Sequence, residues 1–157
     1  MRWLGLAAAV VVGGSAVASA ADGVSVDFGK HVSIIGGCHD CHTMGYNESG
    51  GQIDPAKALV GSSVGFQGPW GTTYAMNLRI TLKDKSEDQF VEFARTFKAR
   101  PPMPFYNVNA LSETEVRSLY QYIKSLGEPG NQAPQALAPG ETPKTPYIPF
   151  APPVMPK

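Results

Sequence analysis

Two cysteines stand three residues apart in Cys38-His39-Asp40-Cys41-His42, and a histidine follows the second one directly. The 157 residues hold no other cysteine, so a scaffold stapled by several disulfides is excluded. On a helical turn, residues three apart share a face. Both thiols would then point the same way, with the His42 imidazole beside them. A zinc site wants four nitrogen or sulfur ligands, and the only other histidines are His31 and His39. A thioredoxin-like pair belongs in a βαβ setting, which the flanking residues do not suggest. A disulfide across two residues closes almost no loop and stabilises little. What remains is C-x-x-C-H as the attachment signature of a c-type haem. Cys38 and Cys41 would reach its two vinyl groups, and His42 its iron.

The rest of the chain agrees with a cofactor-centred domain. Apolar residues make up 43%, enough for a folded core. Thirteen basic residues balance thirteen acidic ones, which gives no basic surplus for binding nucleic acid. Met1–Ala20 reads as an export signal. Arg2 is its basic start, Trp3 to Val12 carry no charge, and Ala18-Ser19-Ala20 forms a cleavage site. Cleavage there leaves no stable membrane span and sends the chain to the bacterial periplasm. The expected organisation is a signal over 1–20, a domain over 21–127 and a proline-rich tail over 128–157. Nine of the fourteen prolines lie after Glu128. They predict an extended tail, in which Tyr147, Ile148 and Phe150 either strap onto the domain or dock a partner.

Within the domain, Ser86-Glu87-Asp88-Gln89 and Ser112-Glu113-Thr114-Glu115 are capping boxes. Phe90, Phe93, Ala94 and Phe97 follow the first at helical spacing. Val116, Leu119, Tyr120, Ile123 and Leu126 follow the second, and Gly127 supplies the stop. A shorter helix is expected over Asp27–Ile35. Met44 to Lys85 is glycine-rich and shows no strand alternation. The fold class expected is therefore all-α, with three to five short helices around one haem. Few short helices bury little surface alone, and the cofactor would fill the deficit.

His42 leaves a sixth iron position open. Met44 is too close in sequence to reach the opposite ring face, and Met155 lies in the tail. Met76 suits gap-filling in a core. Met103, in Arg100-Pro101-Pro102-Met103-Pro104, is held by three prolines between the two strongest helices, so it is the candidate ligand.

From Phe28 to Gly127 the sequence resembles the class I monohaem cytochromes c. The match rests on Gly36-Gly37-Cys38-His39-Asp40-Cys41-His42 and on Met103-Pro104 before a capped last helix. Gly68-Pro69-Trp70-Gly71, Tyr74-Ala75 and Asn77-Leu78 resemble small haem domains associated with bacterial periplasmic dehydrogenases. The resemblance implies that the first and last helices cross beside the haem. It also implies a proline carbonyl, here that of Pro55, orienting His42, and propionate contacts from Trp70 and Asn77. The family's aromatic after the first-helix glycine is replaced by His31; His31 and His39 are read as surface or packing residues.

With both axial positions filled, the expected function is one-electron transfer with redox protein partners: a dehydrogenase, an oxidase or another cytochrome. This is an electron-transfer protein rather than an enzyme. The alternative is a haem enzyme or gas sensor with an open or labile sixth position. Arg79, Lys83, Lys85, Arg95, Lys98 and Arg100 concentrate positive charge locally, yet Asp84, Glu87, Asp88 and Glu92 share the stretch, which favours an ordinary solvated surface.

Overall fold

The computed structural model describes residues 23–127 and 130–156. The export signal expected over 1–20 lies outside them. Among the described residues six helices form in order: α1 (Val26–Ile35), α2 (Cys38–His42), α3 (Leu78–Leu82), α4 (Glu87–Thr96), α5 (Phe105–Asn109) and α6 (Glu113–Ser125). Three strands accompany them: β1 (Gly65–Gly68), β2 (Gly71–Tyr74) and β3 (Tyr147–Pro149).

Both capping boxes close as the sequence dictates. Ser86 accepts from the Gln89 amide while the Gln89 side chain accepts from the Ser86 amide, and Ser112 and Glu115 do the same at α6. In α1 the Ser25 hydroxyl accepts from the Phe28 amide, and Gly36 caps the other end. Helices α1 and α6 cross at Gly29. A Cβ built there would sit 1.9 Å from the Ser118 carbonyl oxygen, so only glycine permits this approach. Val32 of α1, Phe90 and Ala94 of α4, and Val116, Leu119 and Ile123 of α6 meet in one core. Each is less than 5% exposed, which is the apolar pattern of the sequence turned inward.

The all-α expectation is overturned by the sheet. β1 and β2 form an antiparallel hairpin across Pro69-Trp70, pairing Gly65 with Tyr74 and Gly68 with Gly71. Gly71 directly follows the two turn residues and takes a φ of 94°, which a side chain opposes, and a Cβ there would lie 2.2 Å from the Leu137 carbonyl oxygen. The tail then returns: Leu137 bridges antiparallel to Thr72, and β3 pairs parallel with β1, giving the order β2-β1-β3. Pro149 is tolerated because β3 is an edge strand. The tail is therefore a strap on its own domain. Phe150 packs on Phe66 and Trp70, with ring centroids 6.2 and 5.7 Å away. Tyr147, Ile148 and Phe150 stay more than 40% exposed on their outer side.

Candidate functional site

Gly37, at a φ of 67°, starts α2, and the five residues of the helix are the motif itself. Cys38 and Cys41 lie three apart on it as free, half-buried thiols. Burial pushes the Cys38 thiol up to about 11 and raises that of Cys41. Neither is a ready thiolate, which argues against a nucleophilic or disulfide-exchanging pair.

His42 is buried, and its Nδ1 lies 2.7 Å from the carbonyl oxygen of Met76. A carbonyl only accepts, so Nδ1 carries the proton and Nε2 presents its lone pair. That is the arrangement of a metal-ligating histidine, whose ring orientation and basicity are set by the partner of its other nitrogen. Burial also lowers the His42 pKa, against the pull of the Met76 carbonyl, and so favours the neutral ligand form.

The acceptor is not Pro55. The Pro55 carbonyl instead receives Arg79, whose guanidinium also donates to the carbonyls of Ala58 at 2.8 Å and Leu126 at 2.9 Å. Arg79 is only 6% exposed and so leaves the supposed basic surface. Arg95 is paired with Glu113, and Arg100 reaches the Trp70 and Leu137 carbonyls, so that concentration disperses further. Met76 is no core filler either: its side chain is 49% exposed and its backbone is what serves His42.

Met103 is half-buried in the turn before α5. The hairpin steadies this turn, since the Thr73 hydroxyl donates to the Pro101 carbonyl at 2.7 Å and Arg100 to that of Trp70 at 3.2 Å. One strand thus braces both expected ligands, with Thr73 tied to the Met103 turn and Met76, two residues beyond β2, tied to His42. Asn77 caps α3 through its side-chain oxygen and donates to the Asn131 carbonyl, so it is committed to backbone. Trp70 is half-buried, and its indole Nε1 is buried with no hydrogen-bond partner. An orphaned buried donor asks for an acceptor, which a haem propionate would supply.

Of the two readings left open for His39, surface or packing, the structure takes packing. His39 is fully buried, with Nε2 3.0 Å from the Ser33 hydroxyl and Nδ1 2.8 Å from that of Thr43. Its ring lies 5.2 Å from that of Tyr46 and 6.2 Å from that of Tyr122. Burial lowers its pKa to about 4. Nothing in the sequence distinguishes a buried His39 from an exposed one. His31, by contrast, is exposed.

By residue type and spacing, Cys38, Cys41 and His42 match a haem-attachment motif rather than a bare-metal site. Among the described residues, no group of three or more His, Cys, Asp and Glu side chains is placed to hold one. Two thiols three apart on one helix, an imidazole protonated at Nδ1 and a thioether elsewhere in the chain are the donor types that a c-type haem uses. No helix among the described residues is long and apolar enough to cross a membrane. Comparisons with protein-family models, curated proteins and solved structures find no match to this chain.

Proposed function

We propose that this chain is an exported, monohaem electron carrier. Cys38 and Cys41 would hold one c-type haem through thioether bonds, and His42 and Met103 would ligate its iron. The observation that carries the reading is the His42 Nδ1–H donated to the Met76 carbonyl, which fixes the tautomer required of a proximal ligand. When bound, the haem supplies exchange of a single electron between two iron oxidation states. The chain does the rest. Each thiol would hold the cofactor by adding its S–H across one vinyl group, so that no atom is lost and the cofactor would be retained outside the cell. Met76 holds the His42 ring and raises its basicity. The Met103 thioether favours the ferrous state and so raises the potential. The Trp70 indole would donate to a propionate. With His42 and Met103 as ligands, electrons would pass to and from redox protein partners in the periplasm without a substrate at the metal.

The test is to express the full chain in a host that attaches c-type haem. The purified protein should gain the mass of one haem, and Cys38→Ala with Cys41→Ala should abolish the gain. The oxidised protein should show a sulfur-to-iron charge-transfer band in the near infrared that disappears in Met103→Ala. Absence of covalent haem in the unaltered chain refutes the reading. Rapid carbon monoxide binding by the reduced, unaltered protein would instead favour a sensor or enzyme with an open sixth position.

A further inference from the structure

The hydrogen-bond chain through His39 has only one consistent direction. The Ser33 hydroxyl gives its single proton to the Lys30 carbonyl at 2.7 Å, so toward His39 it can only accept. His39 Nε2 must then carry the ring proton, which leaves Nδ1 as an acceptor. The Thr43 hydroxyl therefore donates to Nδ1, while its oxygen accepts from the Leu59 amide at 2.9 Å. Leu59 in turn offers its carbonyl to the Leu78 amide at 2.9 Å. Every link from Leu78 to Lys30 runs the same way.

This chain closes a circuit around His42. Thr43 follows His42 directly, and Leu78 lies two residues beyond Met76, whose carbonyl holds the His42 ring. Leu59 joins the two sides, and it does so at a φ of 58° while fully buried. A leucine does not adopt that left-handed conformation without strain. It persists here where both the amide and the carbonyl of the residue are engaged. The His42 backbone carbonyl is also fixed, accepting from the Gly61 amide at 2.8 Å.

We propose that His39, as the Nε2–H tautomer, is a positioning residue for His42: by fixing Thr43 and Leu59 it sets the geometry of the His42–Met76 hydrogen bond. A residue inside the attachment motif, which supplies neither a thiol nor a ligand, thereby tunes the ligand beside it. The inference rests on the haem reading for its redox consequence, but its structural part stands without it. A looser His42–Met76 bond makes the imidazole a weaker donor to ferric iron, so the potential rises.

The experiment uses the full chain, nitrogen-15 labelled and reduced, compared with Ser33→Ala, His39→Phe and His39→Gln. Long-range nitrogen–proton correlations should show His39 as the Nε2–H tautomer. Exchange of the His42 Nδ1 proton should accelerate about tenfold in Ser33→Ala and in His39→Phe, and His39→Gln should restore most of the protection, because its amide can both donate and accept. In loaded protein, the two disruptive variants should move the oxidised-to-reduced ratio about threefold toward reduced at fixed poise, or about 28 mV at 59 mV per decade. If His39→Phe does not fold, Ser33→Ala on the neighbouring helix still decides. An Nδ1–H tautomer, or folded variants with unchanged His42 exchange, overturns the proposal. Should the chain carry no haem, the function proposed above fails separately, and the tautomer and exchange measurements on the unloaded chain decide the role of His39 without it.

Discussion

Gly29→Ala sets two effects of opposite sign against each other. In an ordinary helix interior, alanine is more stable than glycine by about 1 kcal/mol. At this position the added Cβ would lie 1.9 Å from the Ser118 carbonyl oxygen, 2.4 Å from its carbon and 2.9 Å from the Leu119 nitrogen, whereas ordinary contact begins at 3.4 Å. The obstacles are backbone atoms of α6, which cannot rotate aside, so α1 and α6 must separate by about 1.5 Å. A gap of 0.5–1 Å already forfeits about a quarter to a half of the dispersion attraction across an interface. The separation also stretches the bond from the Ser25 amide to the Ser118 hydroxyl beyond its present 3.2 Å. Overpacking costs about 1–3 kcal/mol even where side chains yield. A rigid clash should exceed that range and outweigh the propensity gain, for a net loss of about 3–4 kcal/mol. For a chain of this size the melting temperature should fall by about 10 °C. Denaturant titration followed by circular dichroism measures the loss, with Gly23→Ala as control because nothing lies within 4 Å of its Cβ. The control should stay within about 0.5 kcal/mol. A Gly29→Ala protein as stable as the unaltered chain would show that the helices do not cross at this residue.

Other perturbations probe the remaining supports. Arg79→Met keeps the aliphatic stem but leaves the Pro55, Ala58 and Leu126 carbonyls without their donor, and should cost about 3 kcal/mol in the same titration. Phe150→Ala removes the ring packed on Phe66 and Trp70; since that ring is 41% exposed, the loss should be about 1.5–2 kcal/mol, roughly half that of a fully buried phenylalanine. Acid titration tests the α6 terminus. Arg117 and Arg95 hold the Glu113 carboxyl below its ordinary range, and the Ser112 hydroxyl and amide do so for Glu115. Depressed carboxyls stabilise the fold above their unfolded pKa and lose that contribution as pH falls through the folded one. Glu113→Gln with Glu115→Gln should therefore flatten the decline of stability from about pH 5 downward; an unchanged slope refutes the assignment.

What could be read from sequence divides along the range of the interactions. Helices α1, α4 and α6 were legible because their signals are local. Ser86 with Gln89 and Ser112 with Glu115 lie within one turn, and the apolar stripes behind them lie within four. The boundary expected at Asp27 is off by a single residue. The hairpin was not legible, because its strands begin or end on Gly65, Gly68 and Gly71, residues with low strand propensity, and four residues are too few to display alternation. Still less could the pairing of Gly65 with Tyr147 be foreseen, where prolines argue against a strand and only an edge position excuses them.

The same division explains the candidate site. Cys38, Cys41 and His42 stand out because haem attachment, the chemistry proposed for them, requires those side chains at that spacing. Their supports do not, because most are backbone. The Met76 carbonyl has no residue-type signature; any amino acid there would present one. Its selection over Pro55 depends on where β2 ends, and on Arg79 already occupying the Pro55 carbonyl. Arg79 and His39 are polar residues whose default position is the surface, and burial becomes tolerable only once the fold supplies partners: the Leu126 carbonyl, 47 residues on, for the guanidinium, and the nearby Ser33 and Thr43 hydroxyls for the imidazole. Substituting Met76 should therefore perturb His42 far less than disturbing Thr43 or Arg79, because the group that matters survives every replacement that keeps the backbone in place.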